Sequence, residues 1–158
     1  MKKLLALLLC ALLVLPAAMA EEAKREVRTS GDFKYAVLED QTAEITKYEG
    51  HAESLEVPAE LDGMKVTSIG DDAFYDCASL SVITLPDGVT NIGDYAFYDC
   101  DSLTAITLPD SVTSIAEDAF SGCDNLTLTV GRDSYAKEYC EKNDLRYIYP
   151  DTNDWLNN

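Results

Sequence analysis

The sequence predicts a β-rich α/β solenoid, a parallel sheet wound through short helical turns and closed by a cap at each end. Three observations predict it. A block of 23 residues is restated, as "FYDCASLSVITLP" from Phe74, "FYDCDSLTAITLP" from Phe97 and a third start, "FSGCDNL", from Phe120. Each full copy carries a strand-length apolar alternation that ends in proline, and the flanks on either side break the pattern. A period between about 20 and 50 residues marks units that cannot bury their own apolar face and must stack on a neighbour.

The elements follow in chain order. Lys2 and Lys3 precede an apolar run from Leu4 to Leu15, followed by Pro16 and Ala18-Met19-Ala20. A basic start, an apolar stretch and small residues before the cut describe a secretory signal peptide over residues 1–20. The run is shorter than the roughly 20 apolar residues that cross a bilayer. Cys10 lies inside it, preceded by three leucines rather than a small residue, so it does not read as a lipid-attachment site. Cleavage removes Lys2 and Lys3 and leaves 10 basic against 29 acidic residues, a net charge of −19. Such a balance disfavours nucleic acid and anionic membrane as partners and favours solubility. No further apolar segment or C-terminal anchor is read in "YIYPDTNDWLNN", so the expectation is an extracellular protein, released or held at a cell surface by non-covalent contacts.

Residues 21–32 read as a tail and residues 33–65 as an N-terminal cap with a modified first repeat. "FKYAVLEDQTAEITKY" alternates apolar and polar residues around an acidic turn, the pattern of a β-hairpin. Leu55, Val57 and Pro58 then match Ile83, Leu85 and Pro86, with five extra residues before the next valine and Gly63 in a turn. Residues 66–130 hold the repeats. Val66, Val89 and Val112 recur in register, as do Ile69, Ile92 and Ile115, Phe74, Phe97 and Phe120, Cys77, Cys100 and Cys123, and Leu80, Leu103 and Leu126. Leu80, Ile83 and Leu85 are spaced L-x-x-L-x-L, the strand core of a leucine-rich repeat. Alternation sends Ile83 and Leu85 inward and Val82 and Thr84 outward. Pro86 and Pro109 stop the strands because proline has no N–H to extend a ladder. Val89 and Ile92 face inward on the return path, Gly93 opens a tight turn, and Asp94 to Phe97 fit a helical turn that lays Phe97 across the core. Leu126, Leu128 and Val130 make a last strand. Residues 131–149 form a C-terminal cap, with Ser134 as helix N-cap, Tyr135, Ala136, Tyr139 and Cys140 on one face, and "LRYIY" extended; residues 150–158 read as a tail.

With those positions aligned, the chain closely resembles the BspA-like bacterial leucine-rich-repeat family, also described as the Treponema-type leucine-rich repeat. The residues that carry the resemblance are "VTSIGDDAFYDCASLSVITLP" from Val66 and "VTNIGDYAFYDCDSLTAITLP" from Val89, with "AEITKYEG" at entry and "SYAKEYCEKN" at exit. The resemblance runs from about Phe33 to Tyr149 and implies a secreted or surface-displayed recognition scaffold, some members of which are adhesins for extracellular matrix or plasma proteins. This chain is short and shows no wall-anchoring module, a departure from that pattern.

No catalytic motif stands out. His51 is the sole histidine and sits in the polar "YEGHAES", so any Ser/His/Asp or Cys/His mechanism would have to pass through a loop residue. No nucleophile elbow, zinc-protease, phosphate-loop or dinucleotide fingerprint occurs, and the reading is non-enzymatic, without cofactor. Export makes paired cysteines an option. Cys77, Cys100 and Cys123, however, occupy equivalent sites about 4.8 Å apart with parallel side-chain vectors, whereas a disulfide needs converging Cβ atoms about 3.8 Å apart. Buried free thiols are expected there, Cys123 with Cys140 staying open as a pair, and a row of three thiolates does not suit tetrahedral zinc. The carboxylate pairs Asp71-Asp72 and Glu117-Asp118 read as turn caps, and no calcium-loop pattern is present.

The exposed face of the main sheet remains. Its outward residues form one column of Glu56, Thr84, Thr107 and Thr129 and a second of Ser54, Val82, Ala105 and Thr127, flat and nearly uncharged in an acidic chain. This concave surface is the candidate binding site for an extracellular protein, a host matrix or surface protein, with an acidic rim that repels wrong partners. Thr and Val also favour strands for their own sake. A glycan or mucin ligand, stacked on Tyr75, Tyr95 and Tyr98, and a structural domain without ligand are the other readings.

Overall fold

The computed structural model describes residues 26–150. The signal peptide read at residues 1–20 and the tail from residue 151 onward lie outside the described residues. The chain forms β1 (Val27–Ser30), β2 (Phe33–Val37), β3 (Ala43–Tyr48), β4 (Ser54–Glu56), β5 (Glu60–Leu61), β6 (Met64–Ile69), β7 (Val82–Thr84), β8 (Asn91–Ile92), β9 (Ala105–Thr107), β10 (Ser114–Ile115), β11 (Thr127–Thr129), α1 (Tyr135–Lys142) and β12 (Tyr147–Ile148).

The hairpin expected over residues 33–48 is present as the antiparallel pair β2 and β3. Residues 27–30, read from the sequence as part of a tail, instead form β1, which pairs antiparallel with β2. The alternation is too short and polar there to mark a strand, and only a neighbouring edge reveals it. The five extra residues of the modified first repeat fold into a small hairpin, β5 with β6. Its two-residue turn, Asp62-Gly63, has φ of 50° and 82°. Two consecutive left-handed residues match the twist of the flanking strands, which is why Asp-Gly suits this loop.

Two parallel ladders run the length of the coil. One sheet has the order β12-β11-β9-β7-β4, and Leu55, Ile83, Ile106 and Leu128 stand level in it. The second joins β1-β2-β3 to β6, β8 and β10, so the return path is itself a short sheet rather than only a turn with an inward apolar pair. The expected helical turns are successive three-residue hydrogen-bonded turns: Tyr75 N bonds Asp72 O at 3.1 Å and Tyr98 N bonds Tyr95 O at 3.0 Å. Positive φ at Asp72 and Tyr95 prevents a continuous helix. Gly93 keeps ordinary backbone angles and is needed for room, because a Cβ there would lie 2.7 Å from the backbone N of Asp71. The Asp71 carboxylate in turn accepts a 2.8 Å bond from Asp94 N.

The predicted inward positions Val66, Val89 and Val112, Leu80, Leu103 and Leu126, and Leu85, Leu108 and Val130 are buried, whereas Leu55 of the modified first repeat is half-buried. Through the middle runs an aromatic column. Phe74 stacks on Phe97 (centroids 5.0 Å apart, planes 8° apart) and Phe97 on Phe120 (5.4 Å, 11°). Tyr48 and Phe33 extend it toward the N-terminal cap. Tyr139 of α1 closes the other end edge-on at 6.1 Å, its hydroxyl donating to the carbonyls of Ala116 (3.0 Å) and Glu117 (3.1 Å). Ser134 caps α1 by accepting from Lys137 N, and Ala136, Tyr139 and Cys140 are buried. Tyr135, expected on the same face, is 40% exposed. It sits in the first turn, rotated about 100° from Ala136 and therefore off the buried stripe.

Phe97→Ala, in the middle of the column, is expected to cost about 3–5 kcal/mol of stability, measured by denaturant unfolding. At the cap, the Asp62 carboxylate accepts from the Tyr35 hydroxyl (2.7 Å) and Ser30 Oγ (2.8 Å), bonds that hold its pKa below the ordinary 3.8. Its stabilisation is complete above that ordinary value and disappears as pH falls through the depressed folded value. Thermal melts below pH 3.8 are therefore expected to fall more steeply for the native chain than for Asp62→Asn.

Candidate partner-binding face

The two predicted columns stand on the outer face of the five-stranded sheet. Ser54, Val82, Ala105 and Thr127 are in register, as are Glu56, Thr84, Thr107 and Thr129. Between them the inward residues Ile83, Ile106 and Leu128 are fully buried, so the alternation read from the sequence is the alternation of the strands. Ser54, Glu56, Val82 and Thr84 are exposed, and Ala105, Thr107, Thr127 and Thr129 are half-exposed. Glu56 is the single charged side chain among them.

The face is rigid because its backbone is satisfied across the rungs: Val57 N donates to Thr84 O (3.0 Å), Leu85 N to Thr107 O (3.1 Å) and Leu108 N to Thr129 O (3.0 Å). The threonine hydroxyls differ by place. Those of Thr90, Thr104 and Thr113 donate to a carbonyl one rung earlier at 3.2–3.3 Å. Those of Thr84, Thr107 and Thr129 have no hydrogen-bond partner among the described residues. They present donor and acceptor capacity to whatever lies on the sheet.

At the end of the column of Glu56, Thr84, Thr107 and Thr129 the face opens into a cleft of about 390 Å³, lined by Thr107, Thr129, Leu108, Pro109, Asp110 and Pro150 among others. Sequence reasoning placed the threonines but missed the cleft wall. The signal was present as Pro-Asp after each strand, at Pro86-Asp87 and Pro109-Asp110, where the proline that ends the ladder also turns an aspartate toward the rim. Gly131 approaches Asp110 so closely that any side chain there would strike its carboxylate.

Elsewhere the carboxylates serve the turns, as Asp71 does for Asp94 N, and Ser121 Oγ donates to Asp118 at 3.0 Å. Among the described residues no group of three or more His, Cys, Asp or Glu is placed to hold a metal ion. His51 and Cys77 line one polar cleft of about 290 Å³, with no hydrogen bond between them among the described residues. No helix among the described residues is long and apolar enough to cross a membrane.

Cys77, Cys100, Cys123 and Cys140 are all free thiols, and the Cys123–Cys140 pair left open by the sequence is unformed. The thiol column is laced into the backbone: Cys100 Sγ donates to Phe74 O at 3.1 Å and Cys123 Sγ to Phe97 O at 2.9 Å. Cys100 and Cys140 are buried as expected, whereas Cys77 and Cys123 are half-exposed. The thiols of Cys123 and Cys77, together with burial, push the Cys100 pKa up, and burial pushes Cys140 up to about 11. Outside the column, Tyr75 stacks on Tyr98 (5.4 Å, 10°) and Tyr95 meets Tyr98 edge-on (5.4 Å, 77°).

Comparison with known proteins bears on this arrangement. The profile of the BspA type leucine rich repeat region matches residues 48–140 in 6 copies. A leucine rich cell surface protein from Faecalibacterium prausnitzii is similar in structure, with 35% identity and a TM-score of 0.61 over 65% of this chain and 30% of its own. A leucine-rich repeat protein from Bacteroides capillosus matches over 82% of this chain and 91% of its own, with 25% identity and a TM-score of 0.63. A third, from Bacteroides ovatus, shares 29% identity with a TM-score of 0.58 over 65% of this chain and 29% of its own. The chain thus spans less than a third of the Faecalibacterium and Bacteroides ovatus proteins. No curated protein matches it.

The thiol geometry makes a direct prediction. Alkylation followed by mass spectrometry is expected to modify Cys77, Cys100, Cys123 and Cys140 of the unfolded chain without a reductant, and in the native chain to leave Cys100 and Cys140 unmodified.

Proposed function

The chain belongs to the BspA-type leucine-rich-repeat family, and from that premise we propose that it is an exported protein that binds an extracellular protein partner through the open face of its five-stranded sheet. The unoccupied hydroxyls of Thr84, Thr107 and Thr129 carry this reading. A sheet whose rungs are hydrogen-bonded to one another and whose threonine column keeps its hydroxyls unpaired among the described residues offers a flat, regular set of hydrogen-bonding groups at about 4.8 Å intervals. The neighbouring column of Val82 and Ala105 supplies apolar area beside it, and the cleft at Pro109 gives the face a concave feature for a protruding side chain. Interfaces of this kind combine a small apolar centre with a polar, charged rim, and Asp87 and Asp110 stand on that rim.

The Faecalibacterium relative is a cell surface protein, and the basic and apolar start of this chain fits export to the same side of a membrane. Adhesion to host matrix or surface proteins is the role that such a display would serve.

The double variant Thr84→Lys/Thr107→Lys changes two outward positions and leaves the buried side of the sheet intact, so it is expected to melt within a few degrees of the native chain. Surface plasmon resonance against immobilised extracellular-matrix and plasma proteins is expected to detect a ligand for the native chain whose affinity falls about tenfold or more in the variant, the size of a lost interface centre. Equal binding by both forms would remove the site from the sheet face.

A further inference from the structure

The repeat block from Val66 to Gly131 contains eleven acidic residues and no lysine, arginine or histidine. Within that uniformly negative stretch lies a cluster of exposed aromatic rings that the core does not bury. Tyr75 is 51% exposed and Tyr95 39%, and both pack on Tyr98. The cluster is carried by the turns and not by the strands of the binding face. Its geometry follows from the register. Tyr75, Tyr98 and Ser121 each follow the Phe of their rung, and Asp72, Tyr95 and Asp118 each precede it by two. The second series explains why Tyr95 is unusual. It adopts φ of 52°, as the equivalent Asp72 does with φ of 56°. Aspartate tolerates that region through its short polar side chain, and a tyrosine there is disfavoured. A ring has been placed where the backbone prefers a small polar residue.

Carboxylates surround the rings. Asp72 and Tyr75 line the same cleft, of about 410 Å³. The charges of Asp118 and Asp94 raise the pKa of Tyr95. Lys47, exposed and without an ion-pair partner among the described residues, is the sole cation lining the cleft beside Tyr75. Lys34 is already paired with Glu49 at 2.6 Å.

From the charge and the rings together we infer that the tyrosine patch is a second binding site, for a basic peptide segment whose arginine side chains stack on Tyr75 and Tyr95 and pair with the flanking aspartates. Guanidinium is planar and weakly hydrated, so it gains from a ring face and from a carboxylate at once, which an ammonium does less well. The acidic surroundings concentrate such a segment near the rings and repel anionic chains. The site does not depend on the sheet face, and the two succeed or fail separately.

The test uses three synthetic peptides of alternating serine and arginine, lysine or glutamate, titrated calorimetrically into the mature chain. The ring-deficient variant is Tyr75→Ser/Tyr95→Asn, which places at Tyr75 the residue the chain itself uses at Ser121 and at Tyr95 a residue that tolerates positive φ. The charge control is Asp87→Asn/Asp110→Asn, on the sheet rim. The arginine peptide is expected to bind more tightly than the lysine peptide and the glutamate peptide not at all. Loss of the two rings is expected to weaken the arginine peptide about fivefold, the scale of exposed cation–π contacts, and the rim variant to weaken it less than about twofold. Lys47→Ala is expected to strengthen it, because a competing cation is removed. Equal weakening by the ring and rim variants would mean unspecific attraction to an acidic protein and would overturn the site, as would unchanged binding in the ring-deficient variant. Loss of binding in Thr84→Lys/Thr107→Lys alone would seat the peptide on the sheet and also overturn it.

Discussion

The constraint from which the structure follows is vertical repetition: whatever stands at a position in one rung must accept its own copy directly above it. Phenylalanine meets it by stacking nearly parallel at 5.0 and 5.4 Å, a spacing close to that of paired strands. The ladder bonds and the ring column therefore want the same rise, and neither has to yield. Where the aromatic column leaves the repeats, Tyr48 tilts by 33° and Tyr139 turns edge-on, so the caps terminate the column by breaking its parallelism. The hydroxyl of Tyr139 then donates to the carbonyls of Ala116 and Glu117, tying α1 to the last rung.

The same rule sorts the surface. The turn positions vary from rung to rung: Tyr95 stands where Asp72 and Asp118 do, and Ser121 where Tyr75 and Tyr98 do. Residues that repeat without cost, such as Thr84, Thr107 and Thr129, persist as a column. The two candidate sites differ in this respect. The sheet face is a regular array, and the tyrosine patch is a local departure from regularity built on a strained turn.

Most of the fold was legible because 23-residue identity fixes both register and burial. The L-x-x-L-x-L strands, the hairpin at Phe33, the Ser134 cap and the outward columns all appear where the sequence puts them. What the sequence concealed were features set by partners and not by patterning. β1 has an unremarkable alternation and is a strand because β2 offers an edge. The two-residue strands β8 and β10 are too short to show a period and are held in series, β8 by β6 and β10 by β8. Half-exposure of Cys77 and Cys123 depends on how the turns splay, although their equivalence to buried Cys100 suggested otherwise. The wall of the cleft at Pro109 was hidden because proline reads as a stop signal before it reads as a surface.

The absence of any cation from Val66 to Gly131 has a consequence beyond ligand choice. A parallel coil with edge strands at both extremities of a sheet, here β4 and β12, carries strand edges along which a second molecule could pair. Acidic side chains repeated on every rung give two approaching molecules a like-signed field along their whole length. Colloidal repulsion of this kind reaches only about 8 Å at physiological ionic strength, which is less than two rungs. It acts only at grazing distance, so it adds to the capped ends in opposing the stacking of like molecules while leaving each free to approach an oppositely charged surface.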